Sequence, residues 1–172
     1  MKNPPFENHE QGPAVDVLIE SDLWRALPEA EHVVRRAITF AATSVAGVCD
    51  RPAEVSVLLC DDETISNLNA RWRGQHKPTN VLSFPAAARG AAPVEILLGD
   101  IVIAYETLAR EAEEQGKTMS DHLSHLLVHG FLHLLGHDHH IDHEAERMER
   151  LERDILAQIG VSDPYAACDA DI

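Results

Sequence analysis

The stretch HGFLHLLGHDH, residues 129–139, constrains both the fold and the function of this chain more than any other. Its apolar positions favour a buried helix, and His129 and His133 lie four residues apart, so both imidazoles project from one face about one turn apart. Gly136 then lets the chain leave the helix, because glycine readily takes the left-handed conformation that helix ends commonly need. The turned chain can bring His139 back toward the first pair. Three neutral imidazoles around one point are typical of a zinc site with an open fourth position, as in catalytic sites.

Spacing alone leaves the register of this site open. His125 and His129 repeat the spacing of His129 and His133, and all three lie with His122 on one side of the same predicted helix. The later pair is favoured because it is followed at once by a glycine turn and more histidines. The candidates for the third ligand are the histidines that follow the turn: His137, His139 and His140. A solvent-exposed, histidine-rich face that binds metal nonspecifically is the alternative interpretation.

Residues next to these histidines bear on the chemistry. A metal-bound imidazole usually donates its other N–H to an acceptor, and Asp138 or Asp142 is close enough in sequence to be that acceptor. Gly130 follows the first histidine, at the position where zinc peptidases of the His-Glu-x-x-His type have the glutamate that acts as general base. The stretch therefore argues against peptidase chemistry, whereas phosphodiester cleavage assisted by a metal ion remains open.

Hydrophobic periodicity and turn residues predict a single α+β domain over residues 13–162, with flexible tails at 1–12 and 163–172, the second of them acidic. Strands are predicted at residues 15–20, 54–60, 80–84 and 96–104, the last with an irregularity at Gly99. Helices are predicted at residues 28–47, 61–72, 105–115 and 144–160, and another is capped by Ser120 and includes the histidine pair. The buried stripe predicted for the last helix is Met148, Leu151, Ile155 and Ile159.

Composition narrows the class of protein. The 172 residues fit one domain, and no apolar run approaches the roughly 20 residues of a membrane helix, so we expect no membrane partner. The polar N-terminus has no hydrophobic signal core, and the three cysteines have no Cys-x-x-Cys spacing. We therefore expect a cytoplasmic protein with reduced thiols.

Charge points to a localised anion-binding surface. The formal net charge of −15 argues against a protein that coats nucleic acid nonspecifically, and we expect no DNA partner. However, residues 64–94 contain no Asp or Glu, and four basic residues lie among them: Arg71, Arg73, Lys77 and Arg89. Such a patch on an acidic protein suits a short anionic substrate better than a long duplex. A chance cluster in a solvated loop is the alternative.

Three blocks of sequence, taken together, match a known family. They are HGFLHLLGHDH at residues 129–139, LNARWR with KPTNVLSFP at 68–73 and 77–85, and GDI at 99–101. In this order they resemble the motifs of the YbeY endoribonucleases, bacterial maturation factors of ribosomal RNA. The resemblance spans about residues 15–160.

This resemblance implies a compact α+β fold, with a small mixed β-sheet packed against about five helices and one zinc ion held by His129, His133 and His139. It implies cleavage of single-stranded ribosomal RNA, in maturation of the 16S rRNA 3′ end and in ribosome quality control. The ribosome or its small subunit would be the partner.

The resemblance also assigns roles beyond the metal. Arg73 and His129 are implied as catalytic residues, and a guanidinium suits this role because it binds phosphate oxygens in a fork and stays charged. Arg71 and Lys77 are expected to join Arg73 in binding substrate. One position departs from the family pattern, since His76 stands where an aspartate is usual.

Two other functions are compatible with the residues. One is a different metallohydrolase with a remote carboxylate as general base, against which Gly130 argues. The other is a ribosome-associated assembly factor whose zinc is mainly structural.

Overall fold

The structure, a computed structural model, describes residues 12–87 and 96–166. Residues 1–11 of the predicted N-terminal tail and 167–172 of the predicted C-terminal tail lie outside these ranges. The strands are β1 Ala14–Ile19, β2 Ala53–Cys60, β3 Val81–Pro85 and β4 Ile96–Ala104. The helices are α1 Ala30–Ser44, α2 Asp62–Arg73, α3 Tyr105–Glu114, α4 Met119–Leu134 and α5 Asp142–Gln158, with a short 3₁₀ helix at Asp22–Ala26.

Within the described ranges the strands form one mixed sheet in the order β1-β2-β4-β3. β1, β2 and β4 are parallel, whereas β3 runs antiparallel to β4 at the edge. The pairing of β2 with β4 shifts register opposite Gly99, whose φ of +134° and close approach to the Phe84 carbonyl exclude a side chain. The predicted α+β domain, with its small mixed sheet and about five helices, is confirmed, as is the irregularity at this glycine.

Helix α4 runs through the centre of the fold and contacts β3, β4, α1, α3 and α5. Its apolar face is buried, with Phe131 fully inaccessible to solvent. Thr118 rather than Ser120 is the N-cap, because the Thr118 side chain accepts a hydrogen bond from the Asp121 N–H at 3.1 Å. Among the described residues no helix has the length and hydropathy needed to cross a membrane.

Gly130 allows α4 to lie unusually close to the sheet. A Cβ at this position would be 3.0 Å from Ser83 Oγ and 3.2 Å from Ile101 Cγ2. The Ser83 hydroxyl donates a hydrogen bond to the Gly130 carbonyl at 3.1 Å, which fixes the helix against the edge strand. A side chain at this position, such as the peptidase glutamate, would force these neighbours to shift, and the close contact places the histidine face of α4 beside β3.

The start of the predicted C-terminal tail is packed rather than extended. Residues 163–166 lie against α5, where the Asp163 carboxylate accepts hydrogen bonds from Arg153 at 3.2 Å and from the Tyr165 N–H at 2.8 Å. The expectation of a tail from residue 163 overlooked these contacts, which the acidic, proline-containing composition does not predict.

Candidate metal centre

Three histidines converge near the C-terminal end of α4. One ligand nitrogen from each of His129, His133 and His139 lies within 4.8 Å of the other two, so this group could hold a metal ion. The first two side chains come from successive turns of α4, and the third comes from the loop between α4 and α5.

The turn after α4 brings the third histidine to the pair. Gly136 has a φ of +88°, and its N–H donates to the His133 carbonyl at 3.0 Å. The next N–H, of His137, donates to the Leu132 carbonyl at 3.1 Å, which completes a Schellman motif. As a result the His139 ring centroid lies 5.1 Å from that of His133.

The other candidates for the third ligand are placed differently. His137 lines the same cleft but contributes its backbone carbonyl, which is a hydrogen-bond acceptor for His133. Asp138, His139 and His140 form a second group with metal-compatible spacing, but His139 and His140 are exposed, and His140 lies 3.4 Å from the Asp138 carboxylate. The first group is the stronger candidate because two of its imidazoles are partly buried and individually oriented.

Hydrogen bonds on the far side of each ring orient these two imidazoles. His133 Nδ1 lies 2.9 Å from the His137 carbonyl, which can only accept, so Nδ1 is assigned the proton. His129 Nδ1 lies 2.6 Å from Glu152 Oε1 and donates to that carboxylate in the same way. Burial, together with the neighbouring His129, lowers the pKa of His133 and favours its neutral form. With each Nδ1 turned to an acceptor, the Nε2 atoms of both rings are the atoms that face the cleft, and the neutral His133 ring carries a lone pair there.

The two Nε2 atoms face each other at 3.0 Å. When both rings are in the Nδ1–H tautomer, these two atoms have no proton between them and their lone pairs repel at this distance. A cation between them would remove the conflict. A tetrahedral ion with metal–imidazole bonds of about 2.1 Å separates two ligand nitrogens by about 3.4 Å, so a shift of a few tenths of an ångström from the observed spacing would admit it. The residues present therefore fit a metal ion.

Glu152 of α5 is the buried carboxylate behind the site, and its side chain is fully inaccessible to solvent. Burial raises its pKa, but hydrogen bonds from His125, His129 and Tyr165 outweigh that effect and lower the pKa to about 2. Glu152 is therefore ionised at any working pH. A carboxylate in this position, behind a ligand imidazole, commonly fixes the tautomer of metal-bound histidines.

Sequence reasoning missed Glu152 and expected an aspartate instead. Asp138 accepts a hydrogen bond from the N–H of His139, and Asp142 lies in the first turn of α5. The predicted buried stripe of α5 included Leu151, which is only partly buried, whereas Glu152 is buried. The sequence did contain a signal for Glu152, because it lies four residues after Met148 and three before Ile155, on the buried face of the helix. A charged side chain on a buried face requires a partner.

The histidines of the alternative register, one and two turns earlier in α4, contact carboxylates instead of the candidate metal position. His125 Nε2 lies 3.1 Å from Glu152 Oε2, and His122 Nε2 lies 2.8 Å from Glu111 Oε2. Burial lowers the pKa of His122 despite the adjacent carboxylate. Among the described residues neither histidine belongs to a group that could hold a metal ion.

The histidine group forms one wall of an open cleft of about 450 Å³. The rest of the cleft is lined by Arg73 of α2, by Val81, Ser83 and Pro85 of β3, and by Asn80 just before that strand. Arg73 is the last residue of α2, which Gly74 ends in the left-handed conformation. The lining thus has two parts, a histidine wall at the end of α4 and an arginine wall formed by the end of α2 and by β3.

Comparison with known proteins identifies the family. The family model described as Endoribonuclease YbeY matches residues 20–160. The chain belongs to the YbeY endoribonuclease family. Membership confirms the resemblance of the three sequence blocks and the predicted class of enzyme.

Two YbeY relatives illustrate the similarity. Endoribonuclease YbeY of Rhodopseudomonas palustris strain BisB18 is 57% identical, over 90% of this chain and 93% of its own. The YbeY of strain BisA53 is 58% identical, over 90% of this chain and 91% of its own. A solution structure of a Thermotoga maritima protein is 25% identical and has a TM-score of 0.46, over 88% of this chain and 98% of that chain.

The basic residues that the sequence predicted for RNA binding are placed unequally. Arg73 lines the cleft. Arg71 instead lies over the ring of Trp72, with the guanidinium carbon 5.4 Å from the ring centroid, and Lys77 is exposed in the following loop. His76, at the position of the family aspartate, is exposed in the same loop and is not among the described residues that line the cleft. Arg89 of the acid-free window lies outside the described residues.

Proposed function

We propose that this chain is a zinc-dependent endoribonuclease that cleaves single-stranded ribosomal RNA. His129, His133 and His139 would hold one zinc ion, and Arg73 would bind a phosphate across the cleft. The observation that carries the proposal is the pair of oriented imidazoles, with Nε2 atoms 3.0 Å apart, in a cleft that Arg73 also lines. Relatives named Endoribonuclease YbeY support the reaction class.

The ligand set supports zinc over other divalent ions. All three ligand atoms are imidazole nitrogens, whereas Mg²⁺ and Ca²⁺ prefer oxygen ligands. The group faces an open cleft rather than a closed core, which is the arrangement of catalytic rather than structural zinc. When bound, zinc would supply Lewis-acid stabilisation of the negative charge that develops on phosphoryl oxygens.

The chain's own residues would act by positioning and by charge. Glu152 and the His137 carbonyl hold the Nδ1 protons, so that His129 and His133 present Nε2 to the cleft. The Arg73 guanidinium would donate two hydrogen bonds to phosphate oxygens and favour the more highly charged transition state over the ground state. His129 and Arg73 are the residues that we propose as catalytic.

An exposed aromatic side chain next to Arg73 supports a single-stranded substrate. Trp72 is 62% exposed, and its ring centroid lies 6.1 Å from that of Phe84, a residue of β3. Unpaired bases stack on exposed aromatic rings, whereas bases inside a duplex are not available to do so. An RNA strand held at Arg73 would thus find a stacking surface next to it, with Arg71 on the same ring.

We propose that the substrate is the 3′ end of 16S rRNA and that the chain also takes part in ribosome quality control. The small ribosomal subunit would present this RNA, in the cytoplasm. The net charge of −15 supports a substrate delivered by a partner, because such a protein gains little from general attraction to nucleic acid.

The test uses one oligoribonucleotide that spans the 16S 3′ processing site. It is incubated with zinc-loaded protein, with chelator-treated protein, and with zinc-loaded protein after annealing to its complement. We expect cleavage of the single strand by the zinc-loaded protein alone. Equal cleavage of the duplex would overturn the strand specificity, and full activity after removal of the metal would overturn the zinc dependence.

A further inference from the structure

The segment after α5, residues 161–166, reaches the carboxylate behind the histidine group. The Tyr165 hydroxyl donates a hydrogen bond to Glu152 Oε2. The same oxygen lies 3.1 Å from His125 Nε2, while the other oxygen of this carboxylate lies 2.6 Å from His129 Nδ1. The two oxygens therefore have separate partners, and Tyr165 acts on the side away from the cleft.

The Tyr165 residue is 36% exposed, so burial alone does not fix its ring. Contacts with α4 and α5 hold the ring in place. The Arg153 guanidinium lies over the ring, 5.2 Å from its centroid, and His125 meets the ring edge-on at 5.7 Å. The Asp163 carboxylate accepts from both Arg153 and the Tyr165 N–H. These contacts fix the hydroxyl rather than merely cover an apolar surface.

Glu152 depends on such partners because its side chain is fully buried. A buried carboxylate turns toward the donors that surround it, since an unpaired oxygen away from water is unfavourable. Two donors on Oε2, His125 and Tyr165, fix the plane of the carboxylate and so direct Oε1 at His129. Loss of one of these donors would let the carboxylate rotate and loosen the ring that it orients.

We propose that Tyr165 is a positioning residue of the metal centre, which acts through Glu152 to fix the orientation of His129. The C-terminal segment, residues 161–166, is then part of the machinery that binds the metal. This inference rests on the proposed zinc site and adds to it a residue from outside the family motifs quoted above.

The test compares two conservative variants of the full chain. Tyr165→Phe deletes the hydroxyl and keeps the ring against Arg153 and His125, and Tyr105→Phe deletes the same atom from the other tyrosine in the chain, beside Trp24. Zinc affinity is measured by competition with a chelator, and the visible absorption of the Co²⁺-substituted protein reports the ligand geometry. We expect Tyr165→Phe to weaken zinc binding about 5- to 10-fold and to shift the cobalt bands, with Tyr105→Phe at the wild-type values.

A double-mutant cycle separates action through Glu152 from a general loss of packing. Glu152→Gln is expected to weaken zinc binding about 10- to 100-fold. If Tyr165 acts through Glu152, the double variant binds zinc no more weakly than Glu152→Gln alone. Wild-type affinity in Tyr165→Phe, equal losses in the two tyrosine variants, or fully additive losses would each overturn the inference. Since no RNA enters this assay, a chain that binds zinc but cleaves no RNA would overturn the proposed function and leave the inference intact.

Discussion

The two walls of the cleft differ in how firmly their functional groups are held. On the histidine wall, both Nδ1 atoms of the α4 pair are hydrogen-bonded within 2.9 Å, and Glu152 behind them is fully buried. On the arginine wall, Arg73 is exposed at the end of α2 and, within the described residues, pairs with no carboxylate. One wall is ordered before any ligand arrives, whereas the other offers a solvated charge that a phosphate can order.

This difference predicts that substitutions in the two walls have different effects on metal binding and on RNA cleavage. Damage to the histidine wall should remove the metal and, with it, all activity. Damage to the arginine wall should leave the metal bound and weaken only the reaction with RNA. Single substitutions in each wall can therefore test this division.

His133→Ala should abolish metal binding and reduce RNA cleavage by at least about a thousandfold, because it removes one ligand of an oriented pair. The helix should persist, since its apolar face packs independently of this side chain. Metal content by mass spectrometry and helix content by circular dichroism check both statements. His143→Ala, an exposed histidine on α5, is the matched control and should behave as wild type. Full metal retention in His133→Ala would contradict the placement of the site.

Arg73→Ala should lower kcat/KM for single-stranded RNA about 10²- to 10³-fold, because one charged donor to the transition state is lost. Metal stoichiometry should stay at the wild-type value, in contrast to His133→Ala. Arg73→Lys should recover part of the rate, since lysine keeps the charge but not the fork.

The control for the arginine is Arg25→Ala, which removes an exposed arginine paired with Asp22 in the 3₁₀ helix. Its steady-state kinetics should match those of wild type. If Arg73→Ala cleaves RNA at the wild-type rate, Arg73 has no part in the reaction and the second wall of the cleft is assigned wrongly.

Gly130→Glu would recreate the peptidase pattern on the histidine wall, and it should destabilise the fold by roughly 3 kcal/mol or more. The new side chain would have to enter the space held by Ser83 and Ile101 and would bury a carboxylate there. Urea unfolding measures the loss, with Gln115→Glu at the exposed end of α3 as the control for added charge. A stable Gly130→Glu protein that hydrolyses peptides would show that packing does not exclude the glutamate.

Trp72→Ala should raise KM for single-stranded RNA about tenfold and leave kcat nearly unchanged, because stacking of one base contributes about 1–3 kcal/mol. The chain has two tryptophans, and Trp24 is only 2% exposed, so quenching of the fluorescence by RNA reports on Trp72. RNA with abasic sites keeps the phosphates but lacks the stacking partner, and it should quench little. Equal quenching by both RNAs would rule out stacking.

Local sequence patterns predicted the helix and the turn well, because these depend on residues near each other in the chain. The four-residue histidine spacing and the glycine after it were sufficient for α4 and for the left-handed Gly136. The third histidine followed from family resemblance, since spacing cannot specify how a loop returns.

The residues that orient His129 were not predicted from the sequence, because they are distant from that histidine in the chain. Glu152 is 23 residues from His129 in the chain, and its role appears only when α5 packs against α4. Tyr165 was assigned to a flexible tail because composition reports nothing about a single hydroxyl bonded to a buried carboxylate. Polar contacts of this kind depend on tertiary packing, which no periodicity encodes.

The most direct test of a metal-dependent cleft is a zinc titration of the metal-free protein, with bound zinc and RNA cleavage followed in the same samples. We expect the rate of cleavage to rise in proportion to bound zinc and to reach its plateau at one ion per chain. In the same titration, Arg73→Ala should bind one zinc and remain nearly inactive. Full cleavage by the metal-free protein, or a rate that does not follow bound zinc, would show that the cleft does not depend on the metal.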